Sequence, residues 1–325
     1  MGNNTKIDIT SSLAAVVIGR NEGARLIAGL KRLGPLVDRI VYVDSGSSDG
    51  SVAAALDQGA EVVELDLGTP FTAARARNAG LRHLSDNPPE FVQFMDGDCL
   101  LDPDWLHHAT LAMIENPNWG AVAGRRREIA PERTLYNRLC DAEWDTPVGP
   151  ARAIGGDALL RHQALSGIGG YRDSLIAGEE PEMCVRLRAA GWEVHRLPHE
   201  MTLHDADMTR FGQWWNRTRR AGFAFAEGAA LHGKLPERHW VAETRRAVLW
   251  GAVLPVAAIV LALAIHPVFL LLFVAYPAQI LRLSRRMDPI RAVFTVLGKF
   301  PEALGALEFH IGKVLRRRTG LIEYK

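Results

Sequence analysis

Short, largely apolar runs punctuate the first part of the chain. They are Leu13-Ala14-Ala15-Val16-Val17-Ile18, Ile40-Val41-Tyr42-Val43, Glu61-Val62-Val63-Glu64-Leu65 and Phe91-Val92-Gln93-Phe94-Met95. Such runs predict strands buried on both faces rather than strands with one wet side. Between them, residues 23–33, 51–58 and 71–83 have the length and mixed character of helices. This alternation predicts βαβ units, an α/β fold with a Rossmann-like, mostly parallel sheet flanked by helices. In such sheets ligands gather at the carboxyl ends of the strands. Three polar loops fall there: Gly19-Arg20-Asn21-Glu22, Asp44-Ser45-Gly46-Ser47-Ser48-Asp49-Gly50 and Asp96-Gly97-Asp98. Further on, Asp102 reads as a cap before Pro103, 121–124 as extended, and 183–190 as a helix closed by Gly191.

A different pattern takes over near the C-terminus. Residues 247–281 contain no Asp, Glu, Lys or Arg. His266-Pro267 stands near the centre, with Pro255 and Pro277 in the two arms, which predicts a hydrophobic helical hairpin with arms 248–265 and 268–281. The first arm approaches the roughly 20 residues that cross a bilayer; the second is short, so two short crossings and a re-entrant hairpin fit equally. Arg245, Arg246, Arg282, Arg285 and Arg286 flank it, which places both ends on the cytoplasmic side. Residues 290–318 read as a basic amphipathic tail suited to a membrane surface. A buried helical pair in a soluble protein would share this composition; membrane attachment is the reading adopted. The expected division is a catalytic domain over 1–235 and a membrane-associating hairpin and tail over 236–325.

Charge and cysteine content narrow the classes. Lys+Arg 38 against Asp+Glu 37 gives a net charge of +1, which offers no field for nucleic acid. Three cysteines without metal spacing point to a reducing compartment and no structural disulfide. Residues 1–12 lack the form of a signal peptide, so the expected location is the inner (cytoplasmic) membrane, with the catalytic part facing the cytoplasm.

Asp96-Gly97-Asp98 carries the chemistry. Two carboxylates one residue apart at a strand mouth can share a divalent cation, and Mg²⁺ and Mn²⁺ favour such oxygens while keeping positions for substrate phosphates. With it stand Val16-Val17-Ile18 and Arg20-Asn21-Glu22, Val43-Asp44 through Gly50, Ala76-Arg77-Asn78-Ala79-Gly80, Gly155-Gly156, Gly169-Gly170-Tyr171, and Gly178-Glu179-Glu180 leading into Arg186 through Trp192. In this order the chain resembles a family 2 glycosyltransferase of the GT-A fold, of the membrane-associated bacterial type, over about residues 13–230.

The resemblance implies a nucleotide-sugar half (about 13–115) and an acceptor half (about 116–235). It implies a nucleotide-diphosphate sugar donor, a UDP-sugar being favoured, with Mn²⁺ or Mg²⁺ and inversion at the anomeric carbon. Asp98 would be a metal ligand, Asp96 would reach ribose or metal, and His204 would contact metal or diphosphate; Asp205 and Asp207 are rival ligands. Arg20, Asn21, Glu22, Asp44 and Ser47 would line the nucleotide pocket, and Arg77 would brace the diphosphate. Glu180 would be the general base and Glu179 an acceptor contact. Two departures stand out: Asp44-Ser45 where the family has Asp-Asp or Asp-Asn, and Glu179-Glu180 where it has Glu-Asp. The expected activity is extension of a lipid-linked or other saccharide in surface polysaccharide biosynthesis. The alternatives are a polyprenyl-phosphate sugar synthase and a non-catalytic membrane assembly subunit. A nucleotidyltransferase is disfavoured for want of a glycine-rich, lysine-containing phosphate loop.

Overall fold

The computed structural model describes residues 11–315. They form two compact units. One takes in the described residues up to Leu175 together with Glu179–Ala206; the other holds Ile176–Gly178 and the described residues from Asp207 onward.

The first unit runs β1 (Leu13–Gly19), α1 (Ala24–Leu33), β2 (Arg39–Asp44), α2 (Ser51–Asp57), β3 (Glu61–Glu64), α3 (Ala73–His83), β4 (Phe91–Asp96) and β5 (Cys99–Leu101). It continues α4 (Trp105–Glu115), β6 (Trp119–Glu128), α5 (Leu135–Trp144), β7 (Gly149–Pro150), β8 (Ala158–Arg161), α6 (His162–Gly167), α7 (Glu179–Ala189) and β9 (Glu193–His204). Hydrogen bonding orders the sheet β3-β2-β1-β4-β8-β6-β9-β5, with β7 paired to β9. From β3 to β4 every pair is parallel. Beyond β4 the sheet is mixed: β8 is antiparallel to both neighbours, β6 and β9 are parallel, and β5 is antiparallel to β9.

This mixture has a consequence for the site. Ala158, the first residue of β8, pairs with Phe94 near the end of β4. Gly156 and Asp157, just ahead of β8, therefore arrive at the mouth of β4. Pairing of Cys99 with His204 brings the end of β9 to the same place.

The core accounts for the apolar runs. Val16, Val17, Val41, Val43, Val92 and Phe94 are fully buried, as central strands covered on both faces require. Leu26, Leu30 and Leu33 give α1 a buried stripe at helical spacing. In α3, Thr72 caps the helix by accepting from the Arg75 N–H at 3.1 Å. Gly80 lies against β1 so closely that a Cβ would collide with Val16. That close approach sets the height at which α3 carries Arg77 and Asn78.

Two local expectations change. Asp102 does not cap α4: its Oδ1 accepts from the Asp104 N–H at 3.0 Å, closing a turn ahead of the helix, which begins at Trp105. Helix α7 begins at Glu179 rather than 183 and carries Glu179, Glu180 and Glu182 in its first turn, where the helix dipole favours anions.

The second unit is helical. It comprises α8 (Phe211–His232), α9 (Val241–Val248), a π turn at Leu249–Val253, α10 (Leu254–Ala264), a 3₁₀ stretch at Pro267–Val274, α11 (Ala275–Ser284), α12 (Pro289–Leu297) and α13 (Lys299–Val314). Two continuous helical stretches, Val241–Ala264 and Pro267–Ser284, are long and apolar enough to cross a membrane, and both are largely exposed. The amphipathic tail is not one free helix. It is interrupted at Gly298, and α13 buries Ala303, Gly305 and Ala306. Gly222 on α8 and Gly305 on α13 each abut the other helix's backbone, where a Cβ would not fit. Leu304, Leu307 and Ile311 on α13 remain exposed. The basic run Arg316-Arg317-Arg318 lies outside the described residues, as do residues 1–10.

Candidate active site

At the carboxyl ends of β1 and β2, the residues expected to line a nucleotide pocket first organise each other. Asn21, at φ 57°, donates its N–H to Ser47 Oγ at 2.9 Å, and its Oδ1 accepts from the Ser48 N–H at 2.8 Å. Asp44 is buried; Oδ1 accepts from the Tyr42 hydroxyl at 2.9 Å, and Oδ2 from the Gly46 and Ser47 N–H groups at 2.9 and 2.8 Å. Three of the carboxylate's roughly four lone-pair positions are thus engaged within the turn. Glu22 ion-pairs with Arg25 at 2.8 Å. Its Cγ stands 3.0 Å from where a Cβ on Gly97 would be, so it lies directly beside the Asp96–Asp98 turn. Arg20 is exposed at the rim.

The turn after β4 gathers four potential donors. One donor atom each from Asp96, Asp98, Cys99 and His204 lies within 4.8 Å of the others. Asp98 and His204 are buried, with His204 Nε2 3.4 Å from Asp98 Oδ1. Burial pushes the Cys99 thiol well up, and its Sγ lies 3.3 Å from Asp157 Oδ2 as a hydrogen-bond donor. The two carboxylates and the imidazole fit Mn²⁺ or Mg²⁺, which prefer such ligands to sulfur. Asp205 instead faces Arg25 at 3.5 Å, and neither it nor Asp207 belongs to the cluster.

A second layer, unforeseen from the residue pattern, supports this turn. Asp157 accepts from the Asp96 N–H at 3.2 Å and from Thr202 Oγ1 at 2.7 Å. Arg126 reaches Asp96 Oδ2 at 3.2 Å and Asp157 Oδ2 at 3.4 Å. Its guanidinium also lies over the Trp144 ring at 5.0 Å, and that ring meets His204 edge-on at 4.9 Å. The available signal for Arg126 was strand alternation. Within Arg125-Arg126-Arg127, the outer two turn to Asp141 and Glu200 while the middle one faces the site.

Arg77 is the hub. It is 2% exposed, and it binds Asp96 Oδ1 at 2.9 Å, Glu179 Oε1 at 2.8 Å and Glu180 Oε1 at 3.1 Å. Rather than presenting its guanidinium to a diphosphate, it spends it on three carboxylates. Burial opposes its charge, but Glu180, Asp96 and Glu179 outweigh that and raise its pKa. Gly156 makes room for this cluster. A Cβ there would strike the Arg77 guanidinium and stand 3.1 Å from Glu180 Oε1 and 3.3 Å from Asp96 Oδ2.

Two of these carboxylates, Asp96 and Glu180, shift in opposite directions. Burial alone would push Asp96 up, yet Arg77 and Arg126 on either side hold it below the usual carboxylate range. Glu180 is pushed up to about 7, first by burial and then by the charge of Glu179, with Arg77 only partly compensating. A carboxyl poised there can take up a proton near neutral pH. Glu182 plays no part in this: it is buried against Arg172 and Arg186 at 3.2 and 2.7 Å.

The arrangement defines a class: a GT-A fold with an acidic turn that could hold a metal ion and a carboxylate pair beyond it. The profile of Glycosyl transferase family 2 matches residues 16–170. The similarity to that family is carried by this stretch of the chain. It is 27% identical over 226 residues to the pre-mycofactocin glycosyltransferase of Mycobacterium tuberculosis, covering 64% of this chain and 45% of that protein. It is 24% identical over 195 residues to the poly-beta-1,6-N-acetyl-D-glucosamine synthase of Staphylococcus epidermidis, covering 56% and 46%. The chain thus spans less than half the length of these curated relatives. Among solved structures, the mannosyltransferase PcManGT from Pyrobaculum calidifontis, in complex with GDP-Man and Mn²⁺, shares the fold. Its TM-score is 0.64 at 21% identity, over 92% of this chain and 90% of that one.

Proposed function

We propose that this chain is a metal-dependent inverting glycosyltransferase that moves a sugar from a nucleotide-diphosphate donor to a lipid-linked saccharide in surface glycan synthesis. The observation that carries the reading is the continuous chain of contacts from the Asp98–His204 pair through Asp96 and Arg77 to Glu180. Asp96, Asp98 and His204 would hold Mn²⁺ or Mg²⁺. When bound, the cation supplies Lewis-acid neutralisation of the departing diphosphate. Glu180 takes the proton of the attacking hydroxyl; Arg77 orients that carboxylate and keeps Asp96 ionised. Glu179, at 4% exposure, supplies the neighbouring negative charge that lifts Glu180. A base held near neutrality serves an acceptor that must lose a proton. This favours a saccharide hydroxyl over a lipid monophosphate. The two long apolar helices, with Arg245, Arg246, Arg282, Arg285 and Arg286 at their ends, support a membrane location with both ends on the cytoplasmic side.

Calorimetric titration of the detergent-solubilised protein with UDP, GDP and dTDP, each with Mn²⁺ and with EDTA, tests the reading. One nucleotide should bind only with metal, and Asp98→Asn should abolish that binding while the protein stays folded. Metal-independent binding, or full binding by Asp98→Asn, would remove the metal role; no binding at all would remove the donor.

A further inference from the structure

Tyr171 completes the Gly169-Gly170-Tyr171 run, and the mechanism above does not use it. Its residue is 4% exposed. The ring meets Phe94 edge-on, with centroids 5.5 Å apart, and the Arg77 guanidinium lies 5.7 Å from the ring centroid. Its backbone is held on both sides. Asn78 Nδ2 donates to the Tyr171 carbonyl at 2.7 Å, and the Tyr171 N–H donates to Asn78 Oδ1 at 2.8 Å. Arg186 Nη1 donates to the carbonyls of Ile168 and Gly170 at 2.8 and 2.7 Å.

Against this rigid setting, no described residue hydrogen-bonds the phenol hydroxyl, which is not one of the fully enclosed unpaired atoms. A buried tyrosine usually finds one, and a phenylalanine would fill the same space without leaving a hydroxyl unpaired. The charged groups bearing on the hydroxyl are Arg77, Glu180 and Glu179, and burial pushes its pKa up, so it stays protonated. It is a donor uncommitted among the described residues, on a ring beside the Arg77 guanidinium and close enough to Glu180 and Glu179 to feel their charge.

We propose that the Tyr171 hydroxyl hydrogen-bonds a hydroxyl of the donor's sugar ring. The inference rests on the reading of the site as a nucleotide-sugar transferase. In that reading the diphosphate lies at Asp98 and His204 and the acceptor at Glu180. Arg77 contacts both Asp96 and Glu180 and so joins the two ends. The group that must lie between diphosphate and acceptor is the sugar being transferred. A side chain 4% exposed beside Arg77 can reach only the part of a ligand that lies against these residues, which excludes the nucleoside.

Tyr171→Phe deletes the hydroxyl alone. With Mn²⁺ present, GDP-mannose and GDP, and UDP-glucose and UDP, are titrated into wild type and variant, and the Tm of each is measured without ligand. The variant should bind the nucleotide sugar about five- to tenfold more weakly, bind the matching nucleoside diphosphate unchanged, and melt no lower than wild type. Equal loss for both ligands, no loss for the nucleotide sugar, or a lowered Tm accompanying the loss would overturn the inference. If wild type binds none of the four, the donor reading falls and the inference with it. If wild type binds and the variant is indistinguishable, the inference alone falls.

Discussion

Asp96 and Glu180 touch the same guanidinium and are driven apart. Asp96 has an arginine on each side, Arg77 at 2.9 Å and Arg126 at 3.2 Å, and is held ionised. Glu180 is pushed up to about 7, first by burial and then by Glu179, with which it shares Arg77 at 3.1 Å. The difference lies in burial and in the neighbouring charges, not in the distance to Arg77. A pair of carboxyls separated in this way marks a division of labour, one group kept charged and the other poised to exchange a proton.

Removing the poised member breaks the comparison most severely. Glu180→Gln keeps the shape and deletes the base, so transfer to a saccharide hydroxyl should fall about 10²- to 10⁴-fold, with metal-dependent nucleotide binding preserved. Steady-state transfer assays beside the calorimetric titration check both halves. A loss of only a few-fold would point to an acceptor that needs no base, such as a lipid phosphate. A smaller effect tests the platform beneath both groups. Gly80→Ala adds a methyl where Val16 already stands, which should cost about 1–3 kcal/mol by overpacking, read as a lowered Tm. Because α3 carries Arg77, activity should decline with it; an unchanged Tm would show that α3 is not set by this contact.

Much of this was readable from residues alone, for physical reasons. The strands at Leu13–Gly19, Arg39–Asp44, Glu61–Glu64 and Phe91–Asp96 are short apolar runs bounded by polar loops, a local signal. The sequence pattern singles out Asp96, Asp98 and His204, and their side chains converge. The pattern singles out Arg77 too, as a brace for the diphosphate, but not its carboxylate partners: Glu179 lies 102 positions away in sequence, and only the fold brings them together. Asp157, Arg126 and Trp144 went unseen because their places depend on β8 inserting antiparallel beside β4 and on β6 pairing with β9. No local pattern encodes those pairings. The start of α7 was placed late because an acidic run with a proline reads as loop until its charges are given partners.

The most direct test of the central claim is the pH dependence of kcat/KM for transfer, measured for wild type and Glu179→Gln. A base at Glu180 would act deprotonated, so activity should rise with pH to a plateau, with an apparent midpoint near the value of about 7 to which it is pushed. Glu179 contributes to that elevation, so neutralising it should move the rising limb to lower pH. A wild-type limb in the ordinary carboxylate range, or one that Glu179→Gln leaves in place, would contradict the account.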